Sequence, residues 1–420
     1  MANAHSSDAR HVTVIGAGIV GICSAAWLQR SGHQVTVIDR VAPGFGTSFG
    51  NAGSISPSAV LPVATPGMLK KVPGWLLDSL GPLTIRWRYL PFMMPWLMRF
   101  LHHGQPSEVR RIATAMSELM TPTFECYEPL IKHAGCEDMI RRTGCLYVYE
   151  DEQAFAGAGW GIALRRQLGA TLEAIGEDEM RQLEPALGRQ FKLGLWAPDN
   201  GRTTDPQALV GALAEQVVAD GGRIFKGEVQ SIEIGEAGPE RLRTTYGDLK
   251  VDMLLVAAGA WSRKLATQLG FKVPLETQRG YHVTLPNAGI EVNRTVMWTK
   301  RSVFVNPMEV GLRFAGTVEL AGLDAAPDYR RAEKLVSLGQ QMFPDMRVDE
   351  PSYWMGHRPC LPDSLPVIDR PAEMPDVMFA FGHQHVGMCC GAPTGRLVAE
   401  LADGRTPSID LTPFRVDRFS

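Results

Sequence analysis

The stretch HVTVIGAGIVGICSAAWLQRSGHQVTVID, His11–Asp39, decides the fold. HVTVIG is a short β-branched run and reads as a strand. Gly18 to about Arg30 reads as a helix, and Gly32 stops it. QVTVID reads as the second strand. Gly16, Gly18 and Gly21 form GxGxxG between the first strand and the helix. Gly16 permits a tight turn, Gly18 lets a pyrophosphate approach the backbone, and Gly21 lets the helix pack closely on the sheet. The helix start offers free N–H groups and the positive end of a dipole to phosphate. Asp39 ends the second strand, where a carboxylate accepts from ribose hydroxyls, and Arg40 follows it. The alternative for Asp39 is a solvated strand end. These features together predict a dinucleotide site, and by themselves they do not separate NAD from FAD.

Outward from this unit the pattern breaks and later resumes. Residues 40–70 are rich in Gly, Ser, Pro and Ala and read as loop. Residues 107–134 have apolar side chains at helical spacing. Pro206–Gly222 reads as an amphipathic helix. Met253–Ala257 is continuously apolar, as a strand inside a parallel sheet is. From Tyr281 to Leu320 the chain alternates like an antiparallel sheet. The predicted fold is α/β, a Rossmann-like nucleotide domain with an inserted antiparallel-sheet α+β substrate domain. The predicted boundaries are 10–56, 145–275 and 350–420 for the nucleotide domain. The substrate domain takes 57–144 and 276–349.

Composition narrows the function classes. A net charge of -3 over 420 residues gives no electrostatic footprint for nucleic acid. Seven cysteines, an odd number without CxxC spacing, argue against a disulfide framework and for a reducing, cytoplasmic compartment. No cluster has metal-ligand spacing. The first ten residues lack the basic start and apolar stretch of a secretory signal. Val72–Leu101 mixes Trp75, Trp87 and Trp96 with Arg86, Arg88 and Arg99, and prolines interrupt it. It has two readings: a monotopic patch on the inner face of the cytoplasmic membrane, or short core helices under a substrate site.

The fingerprint lies at the N-terminus and has no second copy. If the cofactor is FAD, NAD(P)H has no site of its own, and the substrate is the electron donor. At this point the chain resembles the D-amino-acid oxidase and glycine oxidase superfamily, and most of all its bacterial D-amino-acid dehydrogenases of small-subunit type. Four segments carry the resemblance: the N-terminal unit, TSFGNAGSISP (Thr47–Pro57), GHRPCLPDSLPVID (Gly356–Asp369) and FGHQHVGMCCGAPTGRLVAELADGRTP (Phe381–Pro407). It runs from about His11 to Phe419.

The resemblance implies non-covalent FAD in an extended pose. Ser48, Asn51, Ala52 and Gly53 would lie near the flavin ring. Val229 would meet the adenine, and Ala258, Gly259 and Trp261 would pack on the cofactor. Gly382, His383, Gly387 and Met388 would close over the pyrimidine end. Arg358 of the GxRP motif would bind a substrate carboxylate bidentately; its alternative is a structural pair with Asp363. Phe304 stands where the family offers a tyrosine, so Tyr281 is the candidate for a second carboxylate contact. His383 or His385 would take a proton from the substrate ammonium. The implied activity is oxidation of a D-amino or D-imino acid, of D-alanine, D-proline or hydroxy-D-proline type, with a quinone as acceptor. The alternatives are an oxygen-using oxidase of glycine-like amines and a flavin subunit of a larger complex. Oligomeric state is not encoded in any of these motifs.

Overall fold

The computed structural model describes residues 9–67, 83–236 and 238–419. The part of the apolar segment at 72–82 lies outside the described residues. In chain order, the elements used below are β1 (His11–Ile15), α1 (Ile19–Arg30), β2 (Gln34–Asp39), α2 (Leu90–His102), β3 (Cys145–Tyr149), β4 (Leu193–Ala197) and β5 (Met253–Val256). They continue with β6 (Glu276–Leu285), β7 (Thr295–Trp298), β8 (Val303–Met308), β9 (Gly311–Leu320), α3 (Arg330–Met342), β10 (Ser352–Cys360), β11 (Val377–Phe381) and α4 (Gly387–Ala402).

One sheet has six strands. Its order is Arg223–Lys226, β2, β1, β5, β11, Val367–Asp369, and only the last pairing is antiparallel. All four side chains of β5 are buried, because both faces are covered. Met253 and Leu255 enter one core with α1, α4 and Pro206–Ala219; Leu254 and Val256 enter another with Ile232, Leu242 and Leu265. The second sheet has nine strands, ordered β10, β6, β9, β8, β7, β3, β4 and Glu173–Ile175, with Leu83–Ile85 beside β9. It is mixed rather than purely antiparallel: β7 runs parallel to β3, and Leu83–Ile85 parallel to β9. One face of this sheet packs Val283, Val305 and Phe314 against Leu335, Leu338 and Met342 of α3.

The expected boundaries shift in three places. Residues 145–197 join the second sheet through β3 and β4, because Leu146 and Val148 share the apolar face that α3 covers. β10 pairs with β6 and also belongs there. The helices Pro106–Met120 and Thr123–His133 instead bury Val109, Ile112, Leu119 and Tyr127 in the nucleotide-domain core. Both sheets present an edge or strand end to one cavity of about 390 Å³.

Candidate active site

The nucleotide end is made of backbone. Gly16 has φ of 117°, and a Cβ there would lie 2.3 Å from the Ala257 carbonyl oxygen. A Cβ on Gly21 would lie 1.9 Å from the Gly16 carbonyl oxygen. Gly18 differs: a Cβ would meet only Ser48 Oγ, at 3.4 Å. Gly18 lines the cavity, so what a side chain would fill there is the space for a ligand. The protein itself does not demand glycine at that position. The Asp39 carboxylate accepts from the Ala17 N–H at 2.7 Å and from the Val41 N–H at 3.1 Å. Both bonds fix it at the cavity wall with lone pairs to spare for ribose. Arg40 stacks on Trp261, with 3.7 Å from the guanidinium carbon to the ring centroid, and both line the cavity with Val229, Ala258 and Gly259. A glycine-lined helix start, a fixed carboxylate and an apolar slot past Val229 form a donor set that fits an extended dinucleotide.

The loop after β2 is held from beneath by side chains that no sequence motif announces. Arg313 donates through Nη1 to the Phe49 and Asn51 carbonyls, at 3.0 and 2.9 Å, and through Nε to Thr284 Oγ1. Asn306 donates to the Ala52 carbonyl at 3.0 Å. His282 Nδ1 meets the Gly50 carbonyl at 3.1 Å, and its ring stacks on Trp354. Burial lowers Arg313 to about 10. Burial first, and then Arg313, lowers His282 to about 3, so its ring is neutral and its Nδ1–H donates. Asn51 lines the cavity; Ala52 and Gly53 do not. The Ala52 and Gly53 carbonyls are spent on Asn306 and the Thr203 N–H. Ser48 is expected beside the ring, but its hydroxyl accepts from the Ile19 N–H at the start of α1. It belongs to the phosphate end.

The residues expected to meet the substrate lie where β10 pairs with β6. Directly paired residues share a face, so Gly280 and Gly356, and Gln278 and Arg358, point the same way. A Cβ on Gly280 would stand 2.2 Å from Arg358 Nη2, so the guanidinium lies over the glycine. Among the described residues Arg358 makes one hydrogen bond, Nη1 to the Thr317 carbonyl at 3.0 Å. Asp363 does not pair with it, because Arg418 occupies that carboxylate at 2.8 Å. Among the described residues no carboxylate forms an ion pair with Arg358. Burial lowers its pKa, with Cys360 as a small opposing influence.

His385 is solvent-accessible, yet burial and then Arg358 lower its ring to about 4. Arg358 lies near enough to act on the charge of His385, and neither residue is among those lining the 390 Å³ cavity. His383 is buried, lined up by Thr394 Oγ1 at 3.0 Å, and lowered to about 3 by burial. Gly382, Gly387 and Met388 line the cavity beside it. Gln384 between the two histidines has φ of 49° and a buried Nε2 without a hydrogen bond. Tyr281 is not brought to this end. Strand alternation turns it to the other face, where its hydroxyl donates to Glu319 at 2.6 Å and accepts from the Asp328 N–H. Arg279 and Arg86 complete that ion cluster. All seven cysteines are buried and free, Cys360 in β10 among them.

Comparisons with known proteins agree with this geometry. The sequence model of the family described as FAD dependent oxidoreductase (DAO) matches residues 11–401. A protein of Bradyrhizobium diazoefficiens named D-amino-acid oxidase is 40% identical over 98% of this chain and 99% of its own. A second protein of that organism, named D-amino acid dehydrogenase, is 31% identical over 97% of this chain and 99% of its own. The crystal structure of L-proline dehydrogenase from P. horikoshii superposes with a TM-score of 0.75, at 20% identity and 98% coverage of both chains. The chain belongs to the family of FAD-dependent oxidoreductases.

Proposed function

We propose that this member of the FAD-dependent oxidoreductase family oxidises a D-amino or D-imino acid, of D-alanine, D-proline or hydroxy-D-proline type, and passes the electrons to a quinone. One observation carries the amino-acid part: Arg358 is a half-buried guanidinium with no ion-pair partner among the described residues. A partly buried cation without an ion pair is suited to an anion, and guanidinium geometry matches a carboxylate. The D configuration is supported by the names of the two relatives.

FAD, when bound, would supply the hydride acceptor for the substrate's α-carbon, and the resulting imine would hydrolyse in water to a 2-oxo acid and ammonia. The chain's own work is placement. Arg358 holds the carboxylate, and Gly280 makes room for the guanidinium. His385, near Arg358, is the group to which we give the role of easing loss of the substrate ammonium proton. His383 fixes the loop through Thr394. FAD is held without a covalent bond to cysteine, and acid precipitation that leaves flavin on the protein overturns this point. Anaerobic titration with D- and L-amino acids, imino acids and N-methyl glycines tests the whole reading. Bleaching of the flavin band by a D-amino or D-imino acid is expected; bleaching by none of the panel sinks it. The 40% identity to a protein named D-amino-acid oxidase favours oxygen as a second reading for the acceptor. Rapid peroxide release, with no gain on adding a soluble quinone, would establish it.

For localisation we propose a peripheral contact on the inner face of the cytoplasmic membrane. No described helix is long and apolar enough to cross a membrane. α2 buries Met93, Trp96 and Phe100, while Phe92 is 78%, Met98 60% and nearby Trp87 70% exposed. Arg88 and Arg99 are exposed beside them, which suits an anionic lipid interface. F92E with M98E is expected to abolish sedimentation with anionic vesicles; unchanged sedimentation overturns the contact.

A further inference from the structure

Two glycines leave room for one aromatic side chain of the cavity wall. A Cβ on Gly50 would stand 1.9 Å from Cζ3 of Trp354, and a Cβ on Gly356 would stand 1.8 Å from its Cη2. Neither glycine has a positive φ, so the backbone itself does not ask for glycine at either place. The indole does. It is seated against both, stacks on the His282 ring at 5.2 Å with 17° between the planes, and meets the Phe49 ring at 6.1 Å. His282 and Arg313 bind the carbonyls of Phe49, Gly50 and Asn51, so the loop that grips the indole is itself tied down. An aromatic locked on this many sides presents a fixed surface.

Strand pairing puts that surface next to the proposed carboxylate anchor. Trp354, Gly356 and Arg358 alternate along β10 and share a face, opposite His282, Gly280 and Gln278 of β6. The indole edge lies over Gly356, and the Arg358 guanidinium lies over Gly280. These two glycines are direct partners. Cβ positions of such a pair are about 5 Å apart, which brings the indole edge and the guanidinium within about 10 Å of each other. Trp354 and Gly356 line the 390 Å³ cavity, and Arg358 does not. The cavity therefore reaches the glycine pair with the indole as its wall, and Trp354 is half-buried, with surface left for a ligand. A molecule anchored by its carboxylate at Arg358 has that short span for its side chain. A small or cyclic side chain fits it; a long or aromatic one meets the indole.

We propose that the Trp354 indole is the wall that limits the substrate's side chain and confines the enzyme to small or cyclic D-amino acids. This rests on the amino-acid reading given above. The experiment is anaerobic flavin reduction of the holoenzyme by D-alanine, D-proline, D-leucine and D-phenylalanine. The parent is expected to be reduced most efficiently by D-alanine or D-proline. W354A is expected to raise the efficiency with D-phenylalanine relative to D-alanine by about tenfold or more. W354F keeps an aromatic ring in the seat and serves where W354A does not fold; it is expected to raise D-leucine relative to D-alanine by about threefold. A packing role alone would lower melting temperature or FAD content and leave these ratios where they are. Ratios within about twofold of the parent in a flavin-loaded variant overturn the proposal. A parent that already prefers D-phenylalanine overturns it as well. If no amino acid bleaches the parent flavin, or R358M leaves substrate Kd unchanged, the carboxylate reading itself has failed and this proposal falls with it.

Discussion

The two parts of the candidate site are built from different materials. The nucleotide end is backbone: glycines at 16, 18 and 21, the start of α1, and one carboxylate locked by two N–H groups. The end proposed for substrate is side chains: a guanidinium over a glycine and an accessible histidine. Backbone cannot be retuned by substitution without refolding the unit. Side chains on a rigid sheet can be exchanged one by one. A family that keeps one cofactor and changes substrate gains from this division, since the fixed part and the variable part are held by different sheets.

The sharpest way to break this contrast is in the glycine unit. G21V forces a methyl group into the Gly16 carbonyl and is expected to yield no flavin-containing protein, read by visible absorbance of the purified chain. G18A should sharpen it: the chain folds with an unchanged melting temperature but loses FAD, because only the ligand needs that space. If G18A unfolds the protein, Gly18 belongs to packing and the contrast weakens. At the other end, R358M should leave FAD bound and raise substrate Kd by about a hundredfold, the loss of a two-bond charged contact. A comparable loss of FAD in R358M would mean that the two ends are not separable.

R313M tests the seam between them. It strands the Phe49 and Asn51 carbonyls and Thr284, and should cost about 1–3 kcal/mol of stability in urea unfolding. FAD affinity should fall with it, because Asn51 lines the cavity. A smaller effect concerns pH. His282 and His383 are buried and lowered to about 3 from 6.5. A depressed histidine stays neutral when folded, while the unfolded chain takes up a proton below pH 6.5. Stability therefore falls as pH drops below 6.5, by at most about 1.4 kcal/mol per pH unit for each ring. H383Q should remove one ring's share of that slope. Least of all, His385 at about 4 should add no limb to the reduction rate above that pH; an ionisation near its ordinary value that H385Q abolishes would refute its neutral role.

How much of this could be read beforehand follows the same division. The nucleotide unit lies within Ile15–Arg40; Gly16 and Gly21 have local backbone reasons and Gly18 a ligand one, so spacing alone locates it. The continuously apolar β5 is recognisable because both of its faces are covered. The loop clamp could not be located that way. Arg313, His282 and Asn306 sit on three strands, and a lone cation in the apolar run GLRFAGTVEL is the only hint. Tyr281 fails as a substrate contact because one step of strand register decides the face, and no local pattern marks it. The boundaries at 145 and 350 fail for a similar reason: β3 and β10 read as strands, but which sheet receives them is a long-range decision.

The middle of the nucleotide sheet has a consequence for how the enzyme is made. β1 pairs with β5, and β5 pairs with β11. α4 then closes on α1 so tightly that a Cβ on Gly395 would lie 2.6 Å from the Cys23 carbonyl oxygen. The glycine unit emerges early in synthesis, yet β5 follows only at residues 253–256, and β11 and α4 only after residue 376. Flavin loading is expected to wait until α4 has been made, and a chain truncated before Gly387 is expected to be colourless and readily cut by protease.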